Sequence, residues 1–284
     1  MLSEGFHSLV DTGNSIVLLY GINRSIRPPD KDHPLGYGRE LYFWSFVVAL
    51  LLFSLGAGAA MYEGVLHIMH PVRIENSKVN YIVYFLAAII DSISWLTSFR
   101  QFKNEQGSLS VLKAVQRSKN PPTFMVFFED SAALIGLAIA TGGTLISTQF
   151  NAPVADGIAS VLIAIVLAMM AAVLAWETKG LLIGEAANPE IVESISQTAQ
   201  GFKGVVKVNG VLTLQISPAE IVVAISLEFE DQLKTSELEL IVEQIEANLR
   251  MRHAEVRMIF VKPQTPSRFA KNTQLNHSVI FGTV

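Results

Sequence analysis

Two pairs of residues in apolar parts of the chain have the types and spacing needed to bind a divalent cation. His7 and Asp11 are four residues apart, so on a helix they share a face and can contact one ion. An imidazole with carboxylates suits zinc or another first-row divalent ion, which takes about four ligands. The adjacent acids Glu129 and Asp130 are the candidates for the remaining ligands. Because neighbours on a helix point about 100° apart, one of them is expected to reach the ion.

Three further acids lie in apolar stretches and leave alternatives open. Asp91 is a proton site, a residue facing a water-filled cavity, or a hydrogen-bonding group within a bundle. Glu63, near the end of its segment, is either a solvated interfacial acid or a ligand. Asp156 stands where a helix begins, and we expect it to cap that helix.

The surroundings of these acids indicate a membrane protein. Charged residues make up 16% of the 284 residues, against about 25% in soluble domains. No Lys or Arg occurs between residues 120 and 178. Five segments approach the length of about 20 residues needed to cross a bilayer. They lie near residues 3–24, 40–68, 79–103, 122–148 and 153–177.

The distribution of bases orients these spans. Lys and Arg concentrate in the loops after the first and third spans, which are therefore expected on the cytoplasmic side. This places the N-terminus outside and the C-terminal part inside a bacterial inner membrane or an organelle membrane. Membrane lipid is the expected surroundings. With no Lys or Arg at comparable depth, a buried acid must be protonated, hydrated or bound to a cation.

A change in composition separates residues 1–180 from a predicted small domain at 187–262. Residues 189–202 and 235–251 have helical periodicity, and residues 205–216, 220–230 and 255–261 have the pattern of strands. This order, α-β-β-α-β, predicts an α+β domain with helices on one face of a short sheet. The tail, 263–284, has no period and is predicted to be disordered.

Bulk composition excludes several kinds of protein. The chain contains no cysteine, so disulfides, thiolate metal sites and cysteine nucleophiles are absent. A net charge of −4 gives no reason to expect nucleic-acid binding. No nucleophile–base pair or water-activating motif is visible, so an enzyme is not expected.

Several local strings together resemble the cation diffusion facilitator family of divalent-metal transporters. The α-β-β-α-β part resembles that family's ferredoxin-like cytoplasmic domain, and the Glu129-Asp130 pair is most similar to the branch of mitochondrial-type zinc transporters. The strings that carry the resemblance are Glu4–Asn14, His33–Arg39, Tyr62–Gly64 and Asp156–Ser160.

The resemblance implies a homodimer, joined through the cytoplasmic domain, that exports Zn²⁺ or a related ion against protons by alternating access. Zinc is then a transported substrate, and no permanent cofactor is expected. His7 and Asp11 match the family's first ligand pair, and Asp130 matches the last acid of the second pair. Glu129 is the candidate for the fourth ligand.

The chain departs from the family pattern in two places. Val126 stands where the second pair's first ligand is expected, and it cannot coordinate a metal. The family has six spans, and this chain begins where the second one begins, so the resemblance implies a missing first span. These departures motivate an alternative, a membrane regulatory or scaffolding protein that has lost transport.

His33 supports a smaller prediction. The surrounding Pro and Gly residues indicate a tight loop. Some relatives hold a metal in that loop, and here Asp30, Asp32 and His33 would have to supply the ligands. The alternative is a solvated turn without metal.

Overall fold

The computed structural model describes residues 2–71, 77–106 and 111–272; of these, the side chains of 2–9, 77–79, 105–106 and 111–112 are not described. The described chain divides into two compact units, residues 1–182 and 183–284. The first consists of helices, and the second combines helices with a sheet. The elements of the described chain are, in order, α1 (Leu2–Ser25), α2 (Glu40–Leu51), a π-helical segment (Leu52–Ala57), α3 (Gly58–Met69), α4 (Ser77–Gln106), α5 (Val111–Arg117), α6 (Pro121–Gln149), α7 (Val154–Ile183), α8 (Pro189–Gln200), β1 (Val205–Ser217), β2 (Glu220–Phe229), α9 (Thr235–Arg252) and β3 (Val256–Pro263).

In the part of the chain that the structure describes, four helical stretches are long and apolar enough to cross a membrane. They correspond to four of the five predicted spans and cover Glu40–Met69, Asn80–Asn104, Pro121–Gln149 and Val154–Ile183. The remaining predicted span forms α1, a helix of 24 residues. Its polar residues lower its hydropathy, and the count of five spans stays a prediction.

α6 lies at the centre of the first unit's packing. It packs along α4, while α1 packs along α2 and the π-helical segment. Tyr42, Phe124 and Leu174 are the largest side chains fully buried in this core. A stack of aromatic rings joins α4 to α6, with the Phe102 and Phe127 centroids 5.2 Å apart. These contacts fix the acids of α6 relative to α1 and α4.

Small residues bring α6 and α7 into close contact. A Cβ built on Gly143 would lie 2.5 Å from the Cβ of Ala159 and 3.3 Å from the carbonyl oxygen of Ala155. Gly143 therefore permits close helix packing at this crossing. The adjacent Gly142 has open space at the corresponding position.

The second unit has the predicted α-β-β-α-β order. β1 pairs antiparallel with β2, and β2 pairs parallel with β3, which gives the sheet order β1-β2-β3. α9 makes the crossover between the two parallel strands. Ile195 of α8 and Ile245 and Leu249 of α9 are fully buried with the apolar residues of the sheet. The fold class predicted from sequence is confirmed.

The segment after β3 differs from the predicted disordered tail. Residues 266–272 are helical. The ring of Phe269 lies over Gly210 of β1, at a distance of 2.6 Å between its Cζ and a Cβ built on that glycine. Glycine leaves room on the strand for this aromatic anchor, a contact that local periodicity does not reveal. Residues 273–284 lie outside the described part of the chain.

The α6–α7 crossing predicts opposite outcomes for two adjacent glycines. Gly143→Ala is expected to lower stability by about 1–3 kcal/mol, because its methyl group meets Ala159 and backbone that cannot move freely. Gly142→Ala, the matched control, is expected to keep or raise stability, since alanine is the better helix former by about 0.5–1 kcal/mol. Melting temperatures in detergent measure both; equal effects would contradict this crossing.

Candidate metal centre

α1 and α6 bring three polar side chains of the candidate site together. Asn14 is 2% exposed, and its Nδ2 donates a hydrogen bond of 3.3 Å to Oε1 of Glu129. The carboxyl groups of Asp11 and Glu129 are also close enough to hydrogen-bond and to interact electrostatically. Two carboxyl groups in contact within an apolar bundle need a shared proton or a cation to compensate their charge.

His7 lies one helical turn before Asp11 on α1. Its side chain is outside the described part of the structure, so its place as a ligand rests on the spacing of the sequence. The i, i+4 relation puts both residues on one face of α1.

Asp130 faces a different helix from its neighbour Glu129. Its carboxylate accepts hydrogen bonds from Ser94 Oγ, 3.0 Å from each oxygen, and from Ser98 Oγ at 2.8 Å. Both serines belong to α4. The sequence prediction gave priority to Asp130 as the ligand, whereas the structure places Glu129 beside Asp11 and Asn14. The physical reason is the turn of about 100° between adjacent residues on a helix.

Asn14 was missed as a site residue by sequence reasoning. The available signal was its spacing, three residues after Asp11, which puts both on one face of α1. An amide that donates to a carboxylate can also offer its carbonyl oxygen to a cation.

A cavity of about 100 Å³ begins one turn beyond this site. Its wall includes Val10, the neighbour of Asp11, and Ala132 and Ala133, one turn after Glu129. Glu63 and Asp91 also line it, which matches the cavity-facing alternative for Asp91. The small residues Gly56, Ala59 and Ala60 also contribute to the cavity wall.

A second crevice, of about 360 Å³, lies towards the other end of α6. Val126 and Thr123 of α6, Ser98 of α4 and Ile22 of α1 line it. On α6, Glu129 and Asp130 stand between the crevice residue Val126 and the cavity residue Ala132, and on α1, Asp11 and Asn14 stand between Val10 of the cavity and Ile22 of the crevice. The site thus lies between the cavity and the crevice. Among the described residues, no group of three or more His, Asp or Glu is close enough together to hold a metal ion.

The loop around His33 is a turn built on Asp30. The Asp30 carboxylate accepts hydrogen bonds from the backbone N–H groups of Asp32 and His33, at 3.0 and 2.7 Å, and from the Tyr37 hydroxyl at 2.6 Å. The hydrogen bond from Tyr37 is the main cause that lowers the pKa of the Asp30 carboxyl below its ordinary value. The His33 ring packs on Tyr37, with centroids 4.3 Å apart. These contacts favour the solvated turn over the loop metal site.

Comparison with known proteins decides the family. The sequence profile of the cation efflux transmembrane domain matches residues 1–183. The chain belongs to the cation diffusion facilitator family. The resemblance inferred from local strings is confirmed, and so is the prediction that the protein is not an enzyme, since this family transports cations.

Curated relatives of this facilitator include transporters named for zinc and manganese. The human proton-coupled zinc antiporter SLC30A9, mitochondrial, is 26% identical over 83% of this chain and 42% of its own length. Metal tolerance protein C4 of Arabidopsis thaliana is 29% identical over 69% of this chain and 43% of its own. Manganese efflux system protein MneP of Bacillus subtilis is 22% identical over 68% and 62%. The chain spans less than half the length of the first two.

The turn at Asp30 generates a pH prediction. Because the pKa of Asp30 is lowered in the folded protein, the turn is stabilised at neutral pH and loosens as the pH falls through that lowered pKa. Tyr37→Phe removes the main cause and is expected to raise the pKa of Asp30 towards its ordinary value. Carboxyl carbon NMR of labelled protein measures this shift.

The matched control is Tyr62→Phe, which changes an exposed tyrosine in α3. It is expected to leave the pKa of Asp30 unchanged. An Asp30 pKa that is the same in the Tyr37→Phe protein as in the parent would contradict the role given to Tyr37.

Proposed function

We propose that the protein transports a divalent metal cation, with zinc as the first candidate, across its membrane in exchange for protons. Membership of the cation efflux family supports cation transport. The names of the human and Arabidopsis relatives, a proton-coupled zinc antiporter and a metal tolerance protein, support the ion class. The observation that carries the assignment to particular residues is the Asn14–Glu129 hydrogen bond with Asp11 beside it.

The ion binds between α1 and α6 in this proposal. Asp11 and Glu129 provide carboxylate oxygens, His7 provides an imidazole nitrogen from the next turn of α1, and Asn14 orients Glu129 or adds its amide oxygen. Three or four such ligands suit zinc, and the hard oxygens also admit manganese. Asp130 is not a ligand in this proposal, because its carboxylate oxygens already accept hydrogen bonds from Ser94 and Ser98.

Proton exchange follows from competition for the same groups. Carboxylates and imidazole bind metal only when deprotonated, so protons and metal exclude each other. The cavity and the crevice on either side of the site are the two routes required by alternating access. In this arrangement Asp91, in the cavity wall, is an accessory proton site. Efflux from the cytosol and a homodimer joined through the second unit complete the proposal.

Zinc flux into proteoliposomes containing the intact protein tests the ligand assignment. Glu129→Gln is expected to reduce flux about tenfold or more, because a ligand carboxylate becomes a weaker neutral donor. Asp130→Asn, which retains acceptors for the α4 serines, is expected to have a much smaller effect. Glu243→Gln, an exposed acid of α9, is the control for charge alone.

An Asp130→Asn protein that loses as much flux as Glu129→Gln would overturn the division of roles between the two acids. Absence of metal-dependent flux in the parent protein would instead favour the non-transporting membrane scaffold.

The proton-coupling part has its own test. Zinc uptake is expected to be fastest when protons can flow in the direction opposite to zinc, and to fall when an ionophore collapses the pH gradient. Fluorescent zinc and pH indicators inside the vesicles follow both ions. Zinc uptake that is independent of the gradient would contradict exchange while leaving the metal site intact.

A further inference from the structure

A crevice of about 410 Å³ lies where α1 ends and α2 begins. Arg24, Arg39 and Glu40 line it together with three aromatic residues and Leu182 at the end of α7. Its size is within the range of small-molecule sites, about 300–1,000 Å³. It is separate from the acids of the candidate metal centre and has the opposite charge character.

The single acid of this crevice is already neutralised. Oε1 of Glu40 forms an ion pair with Arg24 at 2.9 Å, and Oε2 accepts a hydrogen bond of 2.7 Å from the Trp44 indole. Arg24 in turn lies over the Tyr37 ring, 5.5 Å from its centroid. These contacts fix Arg24, Glu40 and Trp44 as a network without net charge.

Arg39 is the surplus positive charge. The Nε atoms of Arg39 and Arg24 are both buried without a hydrogen-bond partner among the residues that the structure describes. Arg39 differs from Arg24 in that no described carboxylate pairs with its charge, and leaving a charged donor without a partner costs free energy. A guanidinium that lines a crevice without a carboxylate partner fits a planar or tetrahedral anion, and phosphate can accept two guanidinium N–H groups at once.

The aromatic residues in the wall of this crevice indicate that a phosphate ligand bound there carries apolar chains. Tyr20 and Phe43 are 49% and 44% exposed, on the outer surfaces of helices α1 and α2. Trp and Tyr beside Arg are typical of the level where lipid headgroups meet the hydrocarbon. Basic pockets at this level recognise anionic lipid headgroups. A soluble phosphate would use the charge of Arg39 but gain nothing from these rings.

We propose that this crevice binds the headgroup of an anionic phospholipid, with Arg39 on the phosphate and the exposed Tyr20 and Phe43 against its acyl chains. The bound lipid connects the C-terminal end of α1 to the start of α2. The candidate metal ligands of α1 lie in the earlier part of that helix. The site is independent of the proposed transport activity, since none of its residues belongs to the metal centre.

Native mass spectrometry of the detergent-purified intact protein, given equal phosphatidylglycerol and phosphatidylcholine, tests this site. Selective retention of phosphatidylglycerol is expected. Arg39→Gln is expected to reduce that retention about fivefold, the effect of one basic residue at a charged membrane surface. Arg27→Gln removes the same charge from the neighbouring exposed loop and is the matched control, with a smaller loss expected because Arg27 does not line the crevice.

Equal losses in the Arg39→Gln and Arg27→Gln proteins, or equal retention of the two lipids, would overturn the site. Displacement of the lipid by excess inorganic phosphate would show that free phosphate is the ligand and would also overturn the proposal. Should Arg39→Gln fail to fold, Arg39→Lys decides the matter. Lysine keeps the charge but cannot form the bidentate hydrogen bonds of a guanidinium, so this variant is expected to retain less phosphatidylglycerol than the parent.

Discussion

The free-energy cost of placing carboxyl groups in an apolar helical bundle determines how the polar side chains of the first unit are arranged. No Lys or Arg occurs in residues 2–23, 40–72, 79–99 or 120–178, so compensation must come from hydrogen bonds, protons or cations. The structure divides this task between helices. Asn14 of α1 supports Glu129, and Ser94 and Ser98 of α4 support Asp130. Two adjacent acids of α6 therefore act in different surroundings, and only Glu129 lies where a second carboxylate requires a cation or proton.

Neighbouring helices hold α6 on both sides of these acids. α6 packs tightly against α7 through Gly143 and against α4 through stacked rings, so it is held along its length. The π-helical segment at Leu52–Ala57 interrupts the regular ladder beside the cavity, where Ser54 donates to the carbonyl oxygen of Leu50. Such segments are rare and occur often at functional sites. The irregular segment and α6 line the same cavity.

The sequence predicted elements well and side-chain directions poorly. Hydropathy and periodicity located the spans and the α-β-β-α-β order, because burial imposes a pattern on consecutive residues. The partner of each acid depends instead on residues more than 30 positions away, such as Asn14 for Glu129 and Ser94 for Asp130. The cavity at Gly56 and the contact of Phe269 with Gly210 also depend on such long-range packing. Small residues look alike in sequence whether they line a void or a tight crossing.

The distribution of charge assigns distinct tasks to two parts of α1. In its middle the helix carries Asp11 and Asn14, which meet Glu129 in the bundle. At its C-terminal end Arg24 is paired with Glu40, and Arg39 adds a positive charge that no described acid pairs with. One helix thus extends from a pair of acids inside the bundle to a positively charged crevice at its end.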